Sequence, residues 1–161
     1  TLRGGDATRE ALMEMVQAGV RTVVVTAQSP SVPTIANLVR ELQELGVGAA
    51  FGHSDHKASD GDLAGPSEAD VEFYNLQGVP CPPCRCLPPC PLCAGSQAVS
   101  REVARFKDTV AARYNKPEAL EIWMKAEGLT PENVMFVDDN SDNVFNMYMH
   151  FAVREVKSGG G

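Results

Sequence analysis

The segment VMFVDDNSDNVFNM, residues 134–147, decides how the chain is interpreted. Four apolar residues lead directly into the adjacent pair Asp138 and Asp139, and Asp142 follows soon after. A short apolar run without alternation predicts a strand that is buried on both faces of a parallel sheet. Neighbouring carboxylates repel each other, so a cation is expected between them. A solvated turn that caps the next helix is the alternative reading of the same residues.

The pattern around this segment alternates between helices and strands. Its order predicts an α/β fold with a three-layer core, in which helices cover both faces of a parallel sheet. Helices are predicted over residues 6–20, 32–47, 116–129 and 143–151, and strands over residues 21–27, 47–52 and 132–139. Residues 101–114 and 152–156 are predicted to be extended, the former in part. The predicted core comprises residues 1–52 and 101–157, and residues 158–161 read as a linker or a chain break.

Length, composition and net charge limit the classes of protein to which the chain can belong. The 161 residues fit one domain, and 43% apolar with 22% charged residues is typical of a globular protein. The formal net charge of −7 argues against binding to nucleic acid or to an anionic membrane. The chain contains no apolar run long enough to cross a bilayer. We favour a cytoplasmic location as an expectation only.

Residues 53–100 differ in amino-acid composition from the rest of the chain. Gly, Pro, Ser and Asp dominate there, and proline recurs every few positions in GVPCPPCRCLPPCPLCAG. Proline is incompatible with a regular helix and with a central strand, so these residues are predicted to form an insertion outside the sheet.

The five cysteines all lie within residues 81–93. Two Cys-x-x-Cys pairs, Cys81 with Cys84 and Cys90 with Cys93, are candidates for a structural Zn²⁺ site. The five residues between the pairs are fewer than structural zinc sites usually have. Disulfides and a proline-stiffened linker with reduced thiols are the alternatives, and the sequence leaves all three open.

Polar residues follow the predicted strands at the edge of the sheet where ligands bind. Thr26 ends the run VVVT, Asp138 and Asp139 end the run VMFV, and Lys116 begins a predicted helix between them. A hydroxyl and an ammonium can hold a phosphate, while carboxylates can hold Mg²⁺ through oxygen ligands. The sequence therefore predicts a combined magnesium and phosphate site.

These three signals in this order resemble the haloacid dehalogenase-like phosphatases and phosphotransferases. Thr26 in VVVTA resembles the second motif of that family, Lys116 in YNKPEAL the third, and FVDDNSDN the fourth. The resemblance implies that Thr26 and Lys116 bind phosphate and that Lys116 and Asp138 are catalytic. It also implies that Asp138 binds Mg²⁺ directly, with Asp139 or Asp142 acting through water. Residues 53–100, between the second and third motifs, take the place of a cap or lid.

The first motif of that family, a strand followed by Asp-x-Asp-x-Thr, does not occur in residues 1–161. Its first aspartate is the nucleophile that forms an aspartyl-phosphate. Because Thr1 and Leu2 match the end of an Asp-Gly-Thr-Leu motif, we expect the nucleophile to lie just upstream of Thr1.

The expected function is Mg²⁺-dependent hydrolysis of a phosphate ester, on a phosphorylated small molecule or a phosphoprotein. The chain alone should be inactive, because it lacks the attacking aspartate. The alternative is an inactive binding or structural module of the same fold, whose loop rich in Cys and Pro docks a protein partner.

Overall fold

The computed structural model describes residues 5–54, 65–81 and 101–158. Its helices are α1 (Gly5–Gln17), α2 (Val32–Glu44), α3 (Lys116–Glu127) and α4 (Ser141–Ser158). Its strands are β1 (Val24–Thr26), β2 (Glu72–Tyr74), β3 (Pro80–Cys81), β4 (Val103–Phe106) and β5 (Thr109–Ala111). Short 3-10 helices cover Gly48–Phe51 and Pro131–Asn133. None of the helices in these ranges is long and apolar enough to span a bilayer.

Helices α2 and α3 begin at the predicted residues, 32 and 116, and end at Glu44 and Glu127, shortly before the predicted ends at residues 47 and 129. The Ser31 hydroxyl accepts a hydrogen bond from the backbone N–H of Thr34 at the start of α2. Proline in the first turn of α3 suits a position whose N–H has no helical partner, and Gly128 ends that helix with a φ of 67°. These local signals explain why both predicted helices are confirmed.

The sheet has the strand order β1-β5-β4-β2-β3. Only the β1–β5 pair is parallel, and the other three pairings among the described strands are antiparallel. The mixed α/β class is confirmed, whereas the three-layer parallel core is not. The reason is visible at the β4–β5 connection, since two residues, Lys107 and Asp108, can join antiparallel strands but are too few for a parallel crossover.

Two strands lie inside the stretch that the sequence predicted to be an insertion outside the sheet. Strands β2 and β3 belong to the same sheet as β1, so that prediction was wrong for these residues. The Asn75 side chain shapes their connection by accepting hydrogen bonds from the backbone N–H groups of Gln77 and Val79. Pro80 is tolerated because β3 is an edge strand of the described sheet. Residues 55–64 and 82–100 lie outside the described part of the chain.

Three further predictions about elements were wrong. Gly48–Phe51 forms a 3-10 helix where a strand was predicted. Residues 152–156 continue α4 and are not extended. Residues 132–139, predicted as a buried strand, are outside the five-stranded sheet, and the first two of them belong to the 3-10 helix Pro131–Asn133.

Residues 134–138 nevertheless show the period of a strand. Val134 has extended backbone angles, and it is half-buried together with Phe136 and Asp138. Met135 and Val137 between them are each 79% exposed. Alternation of this kind means that one face of the segment packs against the protein while the other is open.

Helix α3 supplies most of the largest apolar cluster, which we call the α3 cluster. Val23 and Val25 beside and within β1, and Val134 and Phe136 of the unpaired segment, all pack against it. Its buried members are Val103, Val110, Ala112, Ala119, Leu120, Ile122, Trp123, Met124 and Met147. Two smaller clusters lie around Ile35 of α2 and around Phe51 with Leu42. Helix layers therefore cover parts of both faces of the sheet.

A polar network ties three distant parts of the chain together. The Asp108 carboxylate accepts hydrogen bonds from Arg21 at 2.8 and 3.2 Å and from the Trp123 indole N–H at 3.0 Å. Glu127 at the end of α3 accepts from Arg21 and from Arg105 of β4. The network joins the approach to β1, the β4–β5 turn and α3.

Candidate functional site

An ion pair at the start of α3 joins two of the sequence motifs. Lys116 Nζ lies 2.6 Å from Asp138 Oδ2, and their side chains are only 16% and 8% exposed. Lys116 is placed by the first turn of α3, and Asp138 ends the extended segment that packs on the same helix. Residues that are 22 positions apart in sequence therefore meet at one point.

Asp138 is held from its other side by the loop that leads into α4. Asp138 Oδ1 accepts hydrogen bonds from the Asn143 side-chain amide at 3.0 Å and from the backbone N–H of Asn140 at 2.9 Å. The bonds from Lys116 and Asn143, with that of Asn140, lower the pKa of the Asp138 carboxyl to about 2. The carboxylate is therefore ionised at neutral pH and fixed in orientation.

Two helices begin beside this carboxylate. Helix α3 starts at Lys116, and α4 starts at Ser141, directly after the loop that binds Asp138. Asn140 Oδ1 accepts a hydrogen bond from the backbone N–H of Asp142 and so stabilises the first turn of α4. The N-terminal ends of helices carry partial positive charge, which favours anions. The surroundings of Asp138 therefore suit negative groups.

The other two predicted magnesium ligands do not share this environment. Asp139 and Asp142 are exposed, whereas Asp138 is nearly buried. Within residues 5–54, 65–81 and 101–158, no group of three or more His, Cys, Asp or Glu side chains is placed to hold a metal ion. Asp138, Asp139 and Asp142 alone therefore do not fit a magnesium site, and further oxygen donors are required.

Thr26 lies at the carboxyl end of β1, where the sequence predicted it. Its carbonyl accepts the backbone N–H of Ala112, and its hydroxyl accepts the backbone N–H of Gln28 at 3.4 Å. Ala112 in turn accepts from Asn115, the residue before α3. Thr26 is thus at the Lys116 end of α3, although no hydrogen bond in the described structure joins it to Lys116 or Asp138.

A cavity of about 620 Å³ opens beside the end of β1. Residues 27–29, which follow Thr26, form one wall, and Arg113 with Tyr114 forms another. Arg113 has a φ of 48°, which is uncommon for a residue with a side chain. Nothing in the sequence pattern marked Arg113, because an arginine in a turn is ordinary. Arg113 therefore places a cationic side chain on the wall of this cavity, close to the end of β1.

Asn143 is a second residue whose importance the sequence understated. Its side chain contacts Asp138 directly, whereas the sequence offered only its spacing five positions after that aspartate. Asn140 contributes through its backbone N–H, which no sequence pattern identifies.

The candidate zinc ligands fall mostly outside the described residues. Cys84, Cys90 and Cys93 lie there, so the prediction of a zinc site stays a prediction. Cys81 is buried in β3, where it pairs in register with Phe73 of β2.

His53 is a buried polar residue that belongs to the core of the described structure. Its side chain is buried, its Nε2 lies 2.7 Å from Thr109 Oγ1, and its ring stacks on Phe106. Burial, followed by the nearby charge of Lys107, lowers its pKa. His53 is therefore a neutral core residue between the 3-10 helix and the sheet.

Comparisons of the chain with models of protein families, with curated proteins and with solved structures found no match. The case for any function therefore depends on the residues of the site.

Proposed function

We propose that the chain is part of a phosphate-ester hydrolase of the haloacid dehalogenase-like type. The observation that carries the proposal is the nearly buried ion pair of Lys116 with Asp138 at the end of residues 134–138. A nearly buried pair of a cation and a carboxylate at the start of a helix is an arrangement that functional sites use. The finer description of the fold, a three-layer parallel core, belongs to the same proposal.

Each residue of the pair has a definite role in this proposal. The Lys116 ammonium has three N–H donors, and one of them bonds Asp138, which leaves two for the oxygens of a phosphate. Its positive charge would offset the charge that develops on the phosphoryl group during transfer. Asp138 holds the ammonium in place, and Thr26 would donate its hydroxyl hydrogen to a further phosphate oxygen.

The cavity beside Thr26 offers room for the rest of the substrate. It is an open surface depression, since Tyr114 on its wall is 94% exposed. Arg113 on its wall favours a substrate with a second anionic group. We therefore propose a phosphorylated small molecule as substrate in preference to a phosphoprotein.

The aspartate that attacks phosphorus would lie outside residues 1–161, since no apolar strand followed by Asp-x-Asp-x-Thr occurs in them. The additional oxygen ligands that Mg²⁺ requires would include water and the substrate phosphate. When bound, Mg²⁺ would supply positive charge that stabilises the transferring phosphoryl group. Asp138 is the residue of this chain that we propose as its ligand.

The test is hydrolysis of para-nitrophenyl phosphate by the full-length protein, with and without Mg²⁺. We expect Mg²⁺-dependent turnover that falls by about a hundredfold or more in Asp138→Asn, because the charged partner of Lys116 and the proposed ligand of Mg²⁺ is lost. Asp6→Asn is the matched control, since Asp6 is an exposed carboxylate of α1 that pairs only with Arg9 in the described contacts. Its turnover should be unchanged.

The proposal fails if turnover is independent of Mg²⁺ or survives Asp138→Asn. Isolated residues 1–161 should show no turnover in either case, because they lack the attacking aspartate.

A binding module is the second candidate, and one observation favours it. Four apolar side chains of α4, those of Val144, Phe145, Tyr148 and Met149, are between 41% and 68% exposed. A contiguous apolar surface of this kind is typical of a protein interface. A full-length protein with an intact Asp-x-Asp motif but no turnover would support this candidate over the hydrolase.

A further inference from the structure

Residues 48–54 lie against the hairpin of β4 and β5, and a buried histidine holds them there. We call these residues the latch segment. The Nε2 atom of His53 is 2.7 Å from Thr109 Oγ1 of β5, and both residues are buried. The His53 ring also stacks on Phe106 of β4, with the two ring centroids 5.5 Å apart. His53 therefore contacts both strands of the hairpin.

Two further side chains hold the latch segment through its backbone. Lys107 in the turn of the hairpin donates from Nζ to the Gly52 carbonyl at 2.9 Å, and the Gln43 amide of α2 donates to the Ser54 carbonyl at 2.9 Å. Both of these bonds are exposed to solvent, whereas the bond of His53 is buried. Losing a partner costs more for a buried polar group, because water does not replace the lost bond. The state of His53 is therefore expected to matter most for the attachment.

The latch segment covers an apolar cluster. Its residues Ala50 and Phe51 are buried in the cluster that also contains Leu42 of α2 and Val47. Val24 of β1 packs against the same cluster. Detachment of the segment would therefore expose apolar surface on both α2 and β1.

The surroundings of His53 suit a neutral ring and not a charged one. A neutral imidazole has one N–H group to satisfy, whereas an imidazolium has two. Thr109 Oγ1 is the one hydrogen-bond partner of the ring among the described contacts. Protonation would thus leave a second N–H in a buried place without an acceptor from the described protein, which costs free energy.

Burial lowers the pKa of His53 most, and the positive charge of Lys107 lowers it further. The charge of Asp108 acts in the opposite direction. That carboxylate is already bonded to Arg21 and to the Trp123 indole N–H, which compensates part of its charge. Within the described chain, no charged residue of α1 or α2 contributes to the shift. The turn of the hairpin therefore holds both charges that act on the ring.

We propose that His53 is an acid-sensitive latch, whose protonation detaches residues 48–54 from the β4–β5 hairpin and uncovers the apolar cluster around Phe51. A buried ring that binds a proton less readily than an exposed ring shifts the equilibrium toward the detached state as the pH falls. The effect begins near pH 6.5, the ordinary pKa of an imidazole. Below that pH the equilibrium constant for detachment rises by up to about tenfold per pH unit, until the buried ring itself is protonated.

Histidines are the side chains expected to change charge between pH 6.5 and pH 5. The unperturbed pKa values of Asp and Glu side chains are about 3.9 and 4.3, and that of Asp138 is lowered to about 2. The chain has three histidines, His53, His56 and His150, so the test must separate His53 from the other two. The latch segment contains no residue of the proposed hydrolase site, so the two proposals are independent.

The test is amide hydrogen exchange of the 161-residue chain at pH 7 and pH 5, corrected for the pH dependence of the chemical exchange rate. The amides of Gly52 and His53 bond within the latch segment, to the carbonyls of Ala49 and Gly48. We expect their protection factors to fall by about tenfold or more from pH 7 to pH 5. The amide of Leu129 at the end of α3 is the reference and should keep its protection.

Two variants assign the effect to one histidine. His53→Gln keeps an amide nitrogen for Thr109 but does not titrate, so the protection of Gly52 should no longer depend on pH in this range. His150→Gln is the matched control, since His150 bonds Glu121 of α3 and lies outside the latch segment. The control should retain the full pH dependence.

Titration of the His53 ring protons by NMR provides a second readout, which needs no variant that removes the histidine. We expect a midpoint below 6.5 in the native chain and a higher midpoint in Lys107→Gln, because a nearby positive charge is removed. Constant protection of Gly52 between pH 7 and pH 5 would overturn the proposal. A fall that persists in His53→Gln, or a native midpoint at or above 6.5, would overturn it equally.

Discussion

Asp138 shows how one side chain can be fixed by three different parts of the fold. A helix start supplies Lys116, the next helix supplies Asn143, and the loop between supplies the backbone N–H of Asn140. Each bond favours the ionised form, which is why the pKa of Asp138 falls to about 2. The carboxylate of Asp138 is therefore charged at every physiological pH and can keep its ion pair with Lys116.

The lowered pKa of Asp138 predicts a pH-dependent contribution to stability. The folded chain binds the proton less readily than the unfolded chain does, so protonation favours unfolding. A shift from 3.8 to about 2 corresponds to about 2 kcal/mol of folding free energy. This contribution is complete above pH ~4 and is lost as the pH falls toward 2. Urea unfolding from pH 6 to pH 3 measures it.

Asp138→Asn should be less stable than the native chain at pH 6, and the difference should shrink as the pH falls to 3. Asp142→Asn changes an exposed carboxylate in the same turn and should follow the native curve. If the difference in free energy of unfolding between Asp138→Asn and the native chain stays constant from pH 6 to pH 3, then ionisation of Asp138 does not contribute to stability.

At the scale of elements, α3 organises the molecule. It begins with the lysine of the site, buries Ala119, Leu120 and Trp123 in the middle, and ends at Gly128. Its buried face is the surface on which both β1 and residues 134–138 lie. Any change that frays α3 is therefore expected to loosen the packing of both segments.

Gly128→Ala tests the C-terminal end of α3. The glycine has a φ of 67°, and a Cβ at this position would meet no atom within 4 Å. The cost of alanine is therefore conformational alone, about 1 kcal/mol in the free energy of unfolding. Gly128→Asn should cost less, because asparagine adopts this conformation more readily. Equal stability of the alanine variant and the native chain in urea would contradict this account.

The elements that the sequence predicted well are those with local signals. Ser31 and Pro33 mark the start of α2, and Gly128 marks the end of α3. Strand β2 was missed, because its three residues lie in a stretch rich in Gly, Pro and Asp. The direction of β4 and β5 was also missed, since Lys107 and Asp108 lack the Asn-Gly or Asp-Gly signature of a tight hairpin turn.

The residues of the site that follow apolar runs could be predicted from the sequence. Lys116 and Asp138 were expected together, and the structure places them 2.6 Å apart. Asp139 and Asp142 could not be separated from Asp138 by sequence, because the turn that exposes them depends on Asn140 and Asn143. The apolar run of residues 134–137 predicted a strand from local pattern alone, whereas strand pairing depends on distant segments, and the described sheet pairs none with it.

At the scale of the whole molecule, the network around Asp108 holds the layers together. Asp108 in the β4–β5 turn bonds Arg21 before β1 and Trp123 in α3, so one carboxylate connects three segments. Its side chain is 10% exposed, whereas Arg21 is 46% exposed. Contacts of high sequence separation such as these fix the sheet against α3.

Asp108→Ala should therefore lower the free energy of unfolding by about 2 kcal/mol or more, because Trp123 and Arg21 lose their acceptor. Glu68→Ala is the control, since it removes an exposed ion pair with Arg101 that should contribute about 0.5 kcal/mol. Urea unfolding of both variants measures the two costs. Similar costs would mean that the network adds no more than a surface pair does.

The two edges of the described sheet differ in how they can meet another molecule. Pro80 in the two-residue strand β3 lacks an N–H, so this edge is a poor template for a neighbouring chain. The edge of β1 has its backbone groups intact. The two edges of the described sheet therefore differ in their capacity to form backbone hydrogen bonds with a second chain. At the β3 edge, Pro80 removes one N–H donor that such a pairing would use.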